Sequence, residues 1–229
     1  MAKTYVPNRH HQGRLRWVIL AGAVVMAVVM LIPFGIMVMN AFKSPSDYSS
    51  HGPLTLPTEF YTQGLVTFVN RTNFPLKLWN SFFISSLVAV FAALLSVLNA
   101  FALGIGRVKG NMAIVTVFLL ANMLPQEVLI YPLFKMAQAV HLDNTPWAVI
   151  IVFTVIQSAF GTYLLASVLG TFPRALLEAA ALDGANRWRT LWQVVFPVVR
   201  PTVVVLMIFF FIWTWNEFFI PLVLLTTPD

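Results

Sequence analysis

The run TVVVLMIFFFIWTWNEFFIPLVLL, Thr202–Leu225, holds 24 residues and one charged side chain, Glu217. At about 1.5 Å per residue a helix of that length crosses the ~30 Å hydrocarbon core of a bilayer, and the run is too long for a strand of a membrane barrel. It reads as a membrane-spanning helix. Working outward, runs of the same kind recur at about 17–42, 82–105, 112–136 and 147–172. Five spans joined by short polar segments predict an all-α fold, a polytopic transmembrane helix bundle.

Composition supports this. Of 229 residues, 59% are hydrophobic and 10% charged, against roughly 25% charged in a soluble domain. The surplus apolar surface has to face lipid. Cysteine is absent, which removes disulfides, thiolate metal sites and a cysteine nucleophile. The net charge of +6 is scattered over short inter-span segments without a basic stripe, so it marks topology and not a nucleic-acid surface. No His/Asp/Glu cluster has metal-ligand spacing, and His10 and His11 read as solvated.

The first run is too long for the core of a cleavable signal peptide and reads as a retained helix, kinked near Pro33. A basic tail, residues 1–16, precedes it. The third run is irregular, because Pro125 and Pro132 interrupt it and Asn122, Gln126 and Glu127 lie inside it; its outer part is expected to be broken or re-entrant. One set of alternate segments carries ten Lys and Arg residues, among them Arg14, Arg107, Arg174 and Arg187, and the other carries four, Lys43, Arg71, Lys77 and Lys135. Cytoplasmic loops carry the excess, so the N-terminus is expected inside. The segment 44–79 then lies outside, too short and irregular for a domain of its own. Residues 17–229 read as one integral unit. Trp17, Trp79 and Trp147 fall near span ends, as interfacial anchors do.

The cytoplasmic loop 173–200 is more than a connector. Glu178 to Leu182 are mostly strong helix formers, and Gly184 is a natural stop because glycine enters left-handed backbone without steric cost. A second helical stretch from Asn186 to Phe196 is expected to end before Pro197. Such a pair has two readings. It is either an interfacial amphipathic element with its Leu and Trp residues in the headgroups, or a rigid knob that a partner pushes.

Spacing favours the knob. Glu178-Ala179-Ala180, then Gly184 after three residues, then Val194-Val195-Phe196-Pro197 after nine more, resembles the cytoplasmic signature of permeases of ATP-binding-cassette (ABC) importers. Asn80-Ser81, Leu124-Pro125, Asp183-Gly184-Ala185 and Trp215-Asn216-Glu217-Phe218, in this order, resemble the carbohydrate-type permeases of the maltose class, the smaller-permease type. The resemblance implies a type I importer permease fold and a coupling helix, in which Ala179 and Ala180 allow close approach, Gly184 sets the hinge, Glu178 and Asp183 anchor the ATPase, and Ala185 and Pro197 complete the loop. It further implies two ATPase subunits that hold ATP and Mg, a second permease subunit forming a heterodimer, and an extracytoplasmic solute-binding protein, all at a bacterial or archaeal inner membrane. No phosphate-binding Gly-x-x-x-x-Gly-Lys-Ser/Thr loop occurs, so ATP hydrolysis and its cofactors belong to the partner. Two departures stand out: Ala175 occupies a position that is often acidic, and the family has six spans with the C-terminus inside, whereas the sequence stops at Asp229 after five. One helix is therefore expected to be missing.

Charged residues within spans usually face a bundle interior or water. Glu127 lies 16 residues after Asn111 and Glu217 lies 16 after Pro201, which on straight helices puts both ~24 Å from the cytoplasmic ends. Glu127, Asn216 and Glu217, with Gln157 and Trp215, are candidates for a cavity that takes sugar hydroxyls. An equally weighted reading has them satisfy one another through interhelical hydrogen bonds. Alternatives for the whole protein are a secondary transporter or channel with Glu127 and Glu217 as ion sites, and an importer of glycerol-phosphate-like polyols.

Overall fold

The computed structural model describes residues 12–106 and 108–225, with side chains from Leu15 onward. The tail residues 1–11, with Lys3, Arg9, His10 and His11, together with Arg107, the Arg14 side chain and residues 226–229, lie outside what is described. The chain forms two compact units, 1–76 and 77–229.

In the first unit, α1 (Gln12–Ala41) starts five residues before Trp17 and runs through Pro33 without a break. Its apolar side chains are exposed along its length. The segment after it is more ordered than its turn-forming composition suggests. Ser44 caps α2 (Pro45–His51) by accepting from the Asp47 N–H at 3.2 Å, with Pro45 in the first turn, and Gly52 ends the helix at φ +74°. Two buried charges hold the loop. Lys43 Nζ donates to the Gly52 carbonyl at 2.6 Å and to Thr55 Oγ1 at 2.9 Å, while Asp47 accepts from the Thr58 N–H at 3.0 Å and pairs with His51 Nδ1 at 2.9 Å. The Thr58 N–H, and after it His51, hold the Asp47 carboxyl below the usual carboxylate range against the opposing effect of burial. Phe42 stacks on Phe60 at 4.4 Å, which closes the loop. Helix α3 (Gln63–Thr72) follows and stops at Asn73, whose backbone is left-handed at φ 51°.

Helix α4 (Phe74–Gly104) begins eight residues ahead of the expected span, with Pro75 tolerated in its first turn where no intrahelical donor is needed. In the second unit come α5 (Asn111–Asn122), a 3₁₀ turn (Gln126–Leu129), α6 (Ile130–Ala139), α7 (Pro146–Gly170), α8 (Arg174–Leu182), α9 (Arg187–Asn216) and α10 (Phe219–Leu224). The break expected in the third run falls at Pro125, where α5 and the following helical segment are bent by 93°.

In lipid, apolar faces have no hydrophobic drive toward each other, so close approach and dispersion hold the bundle. Helix α4 accordingly presents Ala89, Ala92, Ala93, Ser96 and Ala100 to α7 and α9, where Leu165, Leu206 and Phe210 complete the core. Gly161 sits at the tightest crossing. A Cβ there would collide with Ser96 Oγ and lie 2.8 Å from the Phe210 ring. A second cluster joins Val88 and Ala137 to Val149, Ile150 and Phe153 of α7 and to Ile220 and Leu224 of α10.

These contacts define the threading. Gly104, the last residue of α4, lies against Leu169 near the end of α7, so the two helices finish at one face. They also start together: Lys77 and Asn80 of α4 line one cavity with Asn144, Pro146 and Val149 at the start of α7. Two helices that run parallel require the chain between them to return. The bent segment 111–139 is therefore a full crossing, broken but not re-entrant, and makes the fifth span beside the four long apolar helices.

Candidate functional site

At the face where α4 and α7 end, α8 projects from the bundle. Ala180 is buried and Leu177 packs against the cluster containing Phe172, Leu191 and Val195, so one side of α8 is seated on the start of α9. The other side is open: Leu182 is 90% exposed, and Glu178, Ala179 and Asp183 face outward. Neither Glu178 nor Asp183 forms an ion pair with a described residue. The stop is a glycine-centred cap. Gly184 takes φ +70°, its N–H donates to the Ala181 carbonyl at 3.1 Å, and the Ala185 N–H donates to the Ala180 carbonyl at 2.9 Å. One residue later, Asn186 Oδ1 accepts from the Arg189 N–H at 2.8 Å and starts α9.

Here the expectation of a second short helix ending before Pro197 is corrected. Helix α9 runs on through Pro197 and Pro201 to Asn216. A proline lacks the N–H that the carbonyl four residues earlier needs, and its ring clashes with that carbonyl. The chain accommodates this with a wider π-helical segment, Thr190–Val195, in which the Phe196 N–H reaches the Leu191 carbonyl just ahead of Pro197. α8 is thus followed by a single long helix and not by a second short one.

At the other end of α9 lies a cavity of about 400 Å³ lined by Asn122, Gln126, Phe153, Gln157, Phe160, Trp213, Asn216 and Glu217. Two helices terminate on it, α5 at Asn122 and α9 at Asn216, the arrangement by which broken helices expose backbone carbonyls to a ligand inside a membrane. Gln157 is only 6% exposed; its Nε2 donates to Thr214 Oγ1 at 2.9 Å, while its Oε1 has no partner. Leaving such an acceptor unpaired costs about 1–3 kcal/mol. The amide nitrogens of Asn122 and Asn216 are tied to carbonyls of their own helices, Phe118 at 2.8 Å and Ile212 at 2.7 Å. Glu217 Oε1 accepts from the Phe219 N–H, at the start of α10, at 3.0 Å. What remains toward the cavity is an excess of acceptors beside the rings of Trp213, Phe153 and Phe160. A ligand rich in O–H donors with an apolar ring face suits it.

The candidate residues do not all converge. Gln157, Asn216 and Glu217 meet in this cavity. Glu127 is exposed and lines neither this cavity nor the next, because the 93° bend invalidates a depth measured along a straight helix. Trp215 lines a second cavity of about 360 Å³ with Lys77, Asn80, Ser81 and Ser85, since successive residues turn by about 100° and carry 215 to a different side from 213 and 216. Among the described residues only Glu217 borders both. With Glu127 elsewhere, the paired ion site of the secondary-transporter reading does not form. The hydrogen-bond reading accounts for one link, Gln157 to Thr214, and leaves the Gln157 carbonyl over. Sequence reasoning omitted Asn122, Gln126 and Trp213 from the site. The signal was Pro125, which ends α5 where its last polar residue can line a cavity.

Broken helices around a polar cavity, and a glycine-capped helix projecting from the face at the far end of α9, define a membrane permease of the type I ABC importer fold. Residues 101–229 match the family described as binding-protein-dependent transport system inner membrane component, and the chain belongs to that family. It is 30% identical to the glucose import system permease protein GlcU of Saccharolobus solfataricus over 89% of this chain and 73% of that one. It is likewise 30% identical to the trehalose/maltose transport system permease protein MalG of Thermococcus litoralis over 92% and 76%. The inner membrane ABC transporter permease protein YcjP of Escherichia coli is 28% identical over 91% and 75%. Among solved structures, a bacterial ABC transporter involved in import of the acidic polysaccharide alginate superposes with a TM-score of 0.73 over 99% of this chain and 79% of the other, at 21% identity.

Proposed function

We propose that this permease carries a neutral sugar or oligosaccharide, delivered by a solute-binding protein, into the cytoplasm. The observation that carries this is the acceptor-rich cavity: Gln157 Oε1 is buried without a partner beside Asn216, Glu217 and Trp213. Sugar hydroxyls supply the missing donors and the pyranose ring supplies a face for the aromatics. Among the described residues no lysine or arginine lines this cavity, which disfavours a glycerol-phosphate-like polyol, whose anion needs a cation. The sugar-transporting relatives support the same substrate class.

The α8 face is cytoplasmic in this account, with the N-terminus inside, and carries Arg174, Arg187 and Arg189. Two ATPase subunits receive α8 and bind the ATP and Mg that drive transport. A second permease subunit completes the pore as a heterodimer, and the exposed apolar length of α1 supplies surface for that subunit or for lipid. ATP-dependent uptake of labelled neutral sugars by the complete transporter in vesicles, with its binding protein, tests the reading. Asn216→Ala and Glu217→Gln are expected to lower uptake at least about tenfold, the loss of roughly 1.4 kcal/mol of binding; unchanged uptake in both would refute the cavity as the path.

A further inference from the structure

We propose that α3 is an in-plane anchor whose apolar face is seated in the lipid at the membrane face where α4 begins. Leu65, Val66, Phe68 and Val69 fall on one arc of this helix, and Gln63, Thr67, Asn70 and Arg71 on the other. None of the four apolar side chains is buried and none belongs to a core cluster. Three observations identify lipid as what covers them.

The first is covalent. Helix α1 ends at Ala41, and α4, a membrane-spanning helix, begins at Phe74, one residue after α3. One residue spans about 3.8 Å, so α3 is tied to the bilayer surface where α4 enters. The second is continuity. The Phe68 ring lies 5.8 Å from the ring of Phe74, so the apolar arc of α3 joins the exposed apolar start of α4, where Phe74 and Leu76 meet lipid. The third is charge. Arg71 lies at the margin of the polar arc in the last turn, where a guanidinium reaches phosphate while the arc beneath stays in the acyl boundary. The left-handed Asn73, at φ 51°, turns the chain between α3 and α4 in place of a continuing helix.

The sequence contains no cysteine, so a single cysteine is the one thiol of this subunit, and its label is read against the same complex without the substitution. Phe68→Cys, Val69→Cys, Thr67→Cys and Asn70→Cys would each be labelled with a fluorophore in the complete transporter, in vesicles of phosphatidylethanolamine and phosphatidylglycerol. Nitroxide-bearing lipid is expected to quench labels at 68 and 69 at least about threefold more than labels at 67 and 70, with aqueous iodide giving the reverse order, as for a helix lying at the headgroup boundary. Equal iodide quenching at all four positions would overturn the proposal. So would shielding of 68 and 69 that appears only when the solute-binding protein is added, which would assign the face to protein docking. The readout is local and holds whatever substrate the transporter carries.

Discussion

A Cβ placed on Gly104 would lie 2.9 Å from the Leu169 Cβ, so α4 and α7 finish side by side at one face of the membrane. Everything between them must return, and the chain from Asn111 to Ala139 does so with a 93° bend at Pro125. Single-cysteine labelling from either side of sealed vesicles checks this. Val108→Cys and Asp183→Cys are expected to react from one side and His141→Cys from the other. Reaction of His141→Cys from the Val108 side would mean that the bent segment is re-entrant.

The Gln157 amide separates structural need from transport. Gln157→Leu gives up one interhelical bond, worth about 0.6–2 kcal/mol, and also removes the unpaired carbonyl, so thermal stability in detergent is expected to change by less than ~1 kcal/mol. Uptake is expected to fall at least about tenfold, because the cavity loses its buried acceptor. A large fall in stability with uptake per folded molecule preserved would make Gln157 a packing residue.

Little of this cavity was legible in the sequence, and the reason is geometric. The length of the apolar runs located every long helix and Pro125 located the break, since lipid permits no other backbone. Gly184 was legible as a stop because the left-handed cap demands it. The depth of Glu127 was misplaced because a straight helix was extended through a bend, and Trp215 was misgrouped because neighbours in sequence point to different sides of α9. The loop after α1 was underestimated for a related reason. Its order comes from Lys43 and Asp47, two charges whose partners, Gly52, Thr55 and Thr58, are distant in sequence and carry no periodic signal.

That loop should respond to acid. Folding lowers the Asp47 pKa, chiefly through the Thr58 N–H. A carboxyl whose folded pKa lies below its unfolded value of 3.8 contributes stability that is complete above 3.8 and is lost as pH falls through the folded value. Amide-exchange protection of residues 42–61 is expected to hold from pH 7 to about 5 and to fall below about 4. In Asp47→Asn it is expected to be weaker at neutral pH and to lack that step. A step of equal size in Asp47→Asn would place the acid sensitivity elsewhere.

At Gly184 a Cβ would meet nothing within 4 Å, so a side chain there encounters backbone strain alone, at φ +70°. Asparagine tolerates left-handed backbone and β-branched residues do not. Gly184→Asn is expected to keep near-normal ATP-driven uptake, and Gly184→Val to lose most of it, at a stability cost of about 1–2 kcal/mol. Equal activity of the two variants would show that the cap geometry is irrelevant to coupling.

In the proposed mechanism α8 is a mechanical contact with an ATPase and not a helix resting in headgroups. Leu182, 90% exposed at its tip, is the position from which the two are told apart. In membranes holding the complete transporter, a photo-crosslinker on Leu182→Cys is predicted to capture an ATPase subunit, with a yield that changes on adding ATP, while one on Leu54→Cys captures none. Capture of lipid alone from Leu182→Cys, with no ATPase adduct in any nucleotide state, would contradict the account.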